Sequence, residues 1–132
     1  MRPVIARLAR RLRQAAGGDL SPTMAAALAT IDCHGPLTPS ELAAREQIQR
    51  PTATRVLARL EEAGLVARTP DPADRRSSLV SATPAGHALL ASVRARKDLY
   101  LADRLDRLSP EDLAALERAA GILERLLEEA AE

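Results

Sequence analysis

The sequence predicts a mainly α-helical fold carrying one small β-hairpin, and three observations predict it. Ser21-Pro22, Thr38-Pro39, Thr83-Pro84 and Ser109-Pro110 each place a hydroxyl at a cap position and a proline in the turn that follows, the signature of a helix start. Apolar residues recur at three- and four-residue spacing through most of the chain. After Gly64 that period gives way to two short β-prone stretches, "LVART" and "SLVSAT", separated by the turn-rich "PDPADRRS".

Each element follows from local signals. Residues 2–15 read as a first helix, broken at Gly17-Gly18. "SPTMAAALATIDCHG" is a second, with Ser21 as cap and Gly35-Pro36 as stop. In "TPSELAAREQ", Thr38 caps a third helix and Glu41 stands at capping-box spacing. "QRPTATRVLARLEEAG" is the fourth: Pro51 lies near its start, Val56, Leu57 and Leu60 share a face, and Gly64 ends it. Beyond the hairpin, a long helix begins at Thr83-Pro84. A last one begins at Ser109-Pro110, with Leu113, Leu116, Ala120, Leu123 and Leu127 at helical spacing.

Composition narrows the function. At 132 residues the chain suits one domain, and its 46% hydrophobic residues, mostly Ala and Leu, suit a packed core. Tyr100 is the single aromatic residue, so stacking platforms for single-stranded nucleic acid or a flat cofactor are excluded. No apolar run approaches the roughly eighteen residues that span a bilayer, and no apolar signal core follows the Arg-rich start. The lone cysteine, Cys33, suits a reducing cytoplasm and is expected to be a buried small hydrophobe. A glycine-rich phosphate loop, a metal-spaced Cys/His set and a nucleophile with a nearby base are all missing from the sequence. Neither an enzyme nor a cofactor or metal protein is expected.

The net charge of +1 conceals an asymmetry. Residues 1–97 hold fifteen Lys/Arg against eight Asp/Glu, whereas residues 98–132 hold four against ten. A basic body with an acidic end suits a polyanion partner on one side.

Three short helices followed by a hairpin is the order of a winged helix-turn-helix. Such a unit needs a small residue where its helices cross, an apolar residue in the turn, and an apolar stripe seating the second helix. Ala43 or Ala44, Ile48, and Val56 with Leu60 supply these. Arg50, Pro51, Thr52, Thr54, Arg55 and Arg59 remain near or along the open face of that helix. Residues 50–55 occupy the N-terminal end that meets base edges in a major groove, where arginine can bond guanine in bidentate fashion. The hairpin adds Asp74, Arg75 and Arg76 near its tip. Inserted arginine suits the negative potential of a narrow minor groove, and Asp74 can aim one guanidinium through a bidentate pair. A solvated helix face beside a soluble turn is the plain alternative.

The stretch "SELAAREQIQRPTATRVLARLEEAGLVARTPDPADRRSSLVSATPAG" resembles the multiple-antibiotic-resistance regulator (MarR) family of bacterial winged-helix repressors. The resemblance is dense over about residues 38–86 and rests on "RPTATRVLARLEEAGLVAR", "DPADRR" and "TPAG". It implies residues 1–132 as one domain, with 20–83 as the winged helix-turn-helix and 1–16 and 84–132 as dimerisation helices. It also implies a recognition helix at 50–62, a wing whose Asp74 and Arg76 approach the minor groove, and phosphate contacts from Ser21, Thr23, Thr38 and Arg68. A small-molecule effector is a further family expectation. Two departures stand out: Ala82 replaces a larger apolar residue, and the first helix is short.

The terminal helices also raise a burial problem that a homodimer solves. Leu89, Leu90, Val93, Leu101, Leu105 and Leu108 line one helix, Leu116, Leu123 and Leu127 the next, and Ile5, Leu8 and Leu12 can join them. Fully burying each such leucine is worth about 1.5–3 kcal/mol. The reading is therefore a homodimeric, double-stranded-DNA-binding transcription regulator. Its rival is a winged-helix adaptor that binds protein and lacks DNA affinity.

Overall fold

The computed structural model describes residues 1–17 and 20–130. Among them are six helices and two strands: α1 (Arg2–Ala16), α2 (Pro22–His34), α3 (Pro39–Glu46), α4 (Arg50–Glu62), β1 (Val66–Pro70), β2 (Ser78–Ala82), α5 (Pro84–Leu105) and α6 (Pro110–Ala130). Gly18 of the expected first break, and residues 131–132 of the expected C-terminal segment, lie outside the described residues. The chain forms two compact units, Met1–Lys97 and Asp98–Glu132.

The hydroxyl caps form where the sequence places them. Ser21 Oγ accepts the Met24 N–H at 3.2 Å, Thr38 Oγ1 that of Glu41 at 3.1 Å, and Ser109 Oγ that of Asp112 at 3.1 Å. Each satisfies a donor that the first helical turn leaves unpaired. Both α3 and α4 end in the same six-residue closure. At the end of α4, Leu65 N–H reaches Leu60 O at 2.9 Å and Gly64 N–H reaches Glu61 O at 3.0 Å, with Gly64 at φ 74. At the end of α3, Ile48 N–H reaches Ala43 O at 3.0 Å and Gln47 N–H reaches Ala44 O at 3.3 Å, with Gln47 at φ 54. This is the Schellman motif, and it favours glycine at the left-handed position. The helix-turn-helix corner uses glutamine there.

Strands β1 and β2 pair antiparallel, with Val66 opposite Ala82, Arg68 opposite Val80 and Pro70 opposite Ser78. Both expected strands ran one residue further at the core end, and Pro70, expected in the intervening loop, is instead the last residue of β1. Leu65 drops out because its N–H closes α4, and Thr83 because its side chain caps α5. Leu37 exchanges two backbone hydrogen bonds with Val80, at 3.0 and 2.7 Å, and so ties the start of α3 to the hairpin.

The core of the first unit is built from Leu28, Ile31, Leu42, Leu57, Leu60 and Val80, each under 2% exposed. Ala43, not Ala44, is the small buried residue of α3, and Ala53 is fully buried in α4. Ala82 is half-buried against this core. Two expectations need correction. Leu90 is buried in this same core and Leu89 packs on it, so they do not lie outside the winged-helix core. Cys33 is exposed. The buried stripe of α2 is Ala27, Leu28 and Ile31, and a residue two beyond Ile31 lies about 200° around the helix.

The "TPAG" motif has a structural cause. Thr83 Oγ1 donates to Gly64 O at 2.6 Å and accepts the Gly86 N–H at 3.1 Å. A Cβ on Gly86 would lie 2.2 Å from Leu65 O. The first turn of α5 therefore sits directly on the closure of α4, at a separation only glycine permits.

Within the second unit, Asp112 and Glu111 occupy the first turn of α6, where the helix dipole favours them. Arg104 lies 4.2 Å above the Tyr100 ring, a cation–π contact one turn apart. Among the described residues, no helix is long and apolar enough to cross a membrane.

Candidate nucleic-acid interface

Helix α4 is sorted by face. Ala53, Val56, Leu57 and Leu60 are buried, whereas Arg50, Pro51, Thr54, Arg55 and Arg59 are exposed and Thr52 is half-buried. That is the division required of a helix that seats on one side and reads on the other. Thr54 Oγ1 donates to Arg50 O at 3.0 Å, which fixes this exposed side chain against its own helix. Arg55 Nη2 lies 3.5 Å from Thr52 Oγ1. Arg50 Nη1 donates to Ser40 Oγ of α3, so the guanidinium at the start of α4 is held by the preceding helix.

A cleft of about 230 Å³ joins this face to the start of α2. Ser21 and Thr23 line it on one side, and Thr52, Arg55 and Arg59 on the other. Ser21 uses an oxygen lone pair to cap α2 and keeps its hydroxyl proton for a further acceptor. Hydroxyls, two guanidiniums and a helix N-terminus in one concavity make an arrangement suited to an oxyanion. Thr38 caps α3 in the same manner but does not line the cleft.

The wing tip is built by two aspartates. Asp71 Oδ1 accepts the Ala73 N–H at 2.9 Å, and Asp74 Oδ1 accepts the Arg76 N–H at 3.0 Å. Ser77 N–H then closes on Asp74 O at 3.0 Å. These Asx turns replace the backbone pairing that the proline-rich loop lacks. The expected bidentate clamp between Asp74 and a guanidinium is not formed. The carboxylate serves the turn instead, and Arg76 Nε approaches it only to 4.0 Å. Arg76 is 97% exposed and Arg75 is also exposed. Arg68, expected at a phosphate, donates its Nε to Glu61 Oε2 at 2.8 Å.

A larger cavity, about 710 Å³, opens between α1, α2 and the first half of α5. Ala25, Ala26, Leu89 and Val93 contribute apolar walls, and Arg10, Arg13, Arg94 and Lys97 add cations. Sequence reasoning identified none of this lining. The run Ala25, Ala26, Ala29 was its only signal: small residues on one helix face leave room beside it.

Of the residues expected at a dimer contact, Ile5, Leu8, Leu108, Leu116, Leu123 and Leu127 are exposed, and Leu12 and Leu105 are half-buried. Val4, Leu99, Ile122 and Leu126 are exposed with them.

The fold and this surface define a winged helix-turn-helix protein. The MarR family model matches residues 20–78. An uncharacterized HTH-type transcriptional regulator of Mycobacterium bovis is 36% identical over 95% of this chain and 88% of its own length. The multiple antibiotic resistance protein MarR of Salmonella typhimurium is 34% identical over 75% of this chain and 69% of its own. A solved structure from Pseudomonas aeruginosa superposes with TM-score 0.86 at 34% identity, covering 96% of this chain and 89% of that one. The chain belongs to the MarR family of transcriptional regulators.

Proposed function

We propose that the protein is a sequence-specific double-stranded-DNA-binding repressor, acting as a homodimer on a pseudo-palindromic operator and released by a small ligand. Residues 20–83 read the DNA and residues 1–16 and 84–132 join the two copies. Arg50, Pro51, Thr52, Thr54, Arg55 and Arg59 meet the major groove, and Arg75 and Arg76 the adjacent minor groove on a tip shaped by Asp74. Ser21 and Thr23 hold a phosphate in the α2 cleft, and Thr38 a neighbouring one.

The observation that carries this reading is the α2–α4 cleft, which sets Ser21 and Thr23 across from Thr52, Arg55 and Arg59. A protein-binding adaptor has no use for an oxyanion cradle beside the open face of α4. The exposed leucines of α1 and α6 support the dimer. The 710 Å³ cavity lies within the size range of small-molecule sites and supports the ligand.

Selection from a random duplex pool tests the whole reading. The expected product carries two half-sites about 10 base pairs apart, matching two recognition helices roughly 34 Å apart. Affinity for that product falls with salt at a slope near −0.9 per phosphate neutralised. Arg55→Ala flattens sequence preference within the half-site. Failure to enrich any duplex, with a chain that is dimeric by light scattering, favours the adaptor.

A further inference from the structure

The Arg68–Glu61 pair joins the end of the recognition helix to the root of the wing, and its placement runs against local electrostatics. Glu61 lies in the last turn of α4, where the negative end of the helix dipole disfavours a carboxylate. It also adds negative charge to a helix whose open face is otherwise lined by Arg50, Arg55 and Arg59. Glu62 beside it shares both liabilities; what sets Glu61 apart is its 2.8 Å contact with Arg68 Nε.

Arg68 faces Val80 in the hairpin register, and Val80 is the outermost buried residue of β2. Core-side, the hairpin is held by Val66, Val80 and the Leu37 bridge. Tip-side, a two-stranded ribbon has little stability of its own. The ion pair thus sits at the pivot. From Arg68 to the turn at Ala73 is five residues, at most about 16 Å at about 3.3 Å per residue and less where the chain turns after Pro70. A 10° tilt at such a pivot moves the tip by about 1.5–2.5 Å, enough to break a hydrogen bond or groove contact.

We infer that Glu61 is a positioning residue for the wing: through Arg68 it sets the angle at which the hairpin leaves the recognition helix, so that Arg76 and the α4 cations engage one duplex together. The inference rests on the DNA-binding reading above. It reassigns Arg68 from a phosphate ligand to the strut that aims the wing.

The test uses the selected duplex and the full chain. Glu61→Gln removes a negative charge from the DNA-binding surface, so electrostatics alone predicts tighter binding. Loss of aim predicts weaker binding, by about tenfold. The exchanged pair, Glu61→Arg with Arg68→Glu, keeps the net charge and restores affinity to within about threefold of wild type, with an unchanged salt slope. Arg76→Ala weakens the wild type about tenfold but the Glu61→Gln protein less than twofold, because a misaimed wing has little left to lose. Thermal melting should hardly move in either variant, since an ion pair this exposed contributes little to stability. Tighter or unchanged binding by Glu61→Gln overturns the inference, as does full additivity with Arg76→Ala, while the DNA-binding reading survives both. If the wild type binds no duplex, both fall.

Discussion

Leucines in the two compact units have opposite fates. Leu28, Leu42, Leu57 and Leu60 are at most 1% exposed, whereas Leu116, Leu123, Leu126 and Leu127 in α6 are 38–72% exposed. Leu57 and Leu60 of α4 recur at helical spacing among charged residues, as the α6 leucines do. The difference lies in what the chain supplies to cover them. The first unit surrounds its stripe with three short helices, a hairpin and the start of α5. The second offers only the end of α5 and α6 itself. Periodicity reports that a helix has an apolar face; it does not report whose surface will meet that face.

Substitutions that strike one unit and spare the other sharpen this contrast. Leu127→Glu should leave the melting of a single chain nearly unchanged, because that side chain is 72% exposed. A two-fold interface would lose two leucines at once, about 3–6 kcal/mol, so the dimer dissociation constant from sedimentation should rise at least about a hundredfold. An unchanged constant would remove α6 from the interface. Leu57→Ala, at the centre of the first core, should cost about 2–5 kcal/mol in denaturant unfolding. Gly86→Ala pushes a methyl toward Leu65 O and should cost about 1–3 kcal/mol. A neutral result there would mean that α5 can lift off the closure of α4. Gln47→Gly relieves a left-handed residue and should stabilise by up to about 1 kcal/mol, with DNA affinity unchanged.

Much of this organisation is legible in the sequence because the helix starts are chemically explicit. Ser21, Thr38 and Ser109 form the caps their neighbours imply, and Gly64 ends α4 where the apolar period stops. The open face of α4 follows from the buried stripe that excludes it. What escaped detection depends on three-dimensional neighbours. Gln47 carries no sign of its left-handed backbone, which is imposed when the Ile48 and Gln47 N–H groups close on the carbonyls of Ala43 and Ala44. Cys33 is apolar enough for a core, yet the turn of α2 faces it outward. Arg68 reads as one more cation until Glu61, seven residues earlier, is found beside it. Asp74 and Arg76 are close in sequence, but the backbone N–H takes the carboxylate before the guanidinium can.

The seat of α5 bears on how a signal could travel. Thr83 bonds to Gly64 O, Gly86 lies against Leu65 O, and Leu89, Leu90 and Val93 follow on the same helix to wall the large cavity. With so little room between these joints, the tail of α4 and the head of α5 cannot shift separately without breaking the Thr83–Gly64 bond. If a ligand occupies the cavity as proposed, it would therefore displace the two helices together, rather than unthread the hairpin or fray α4.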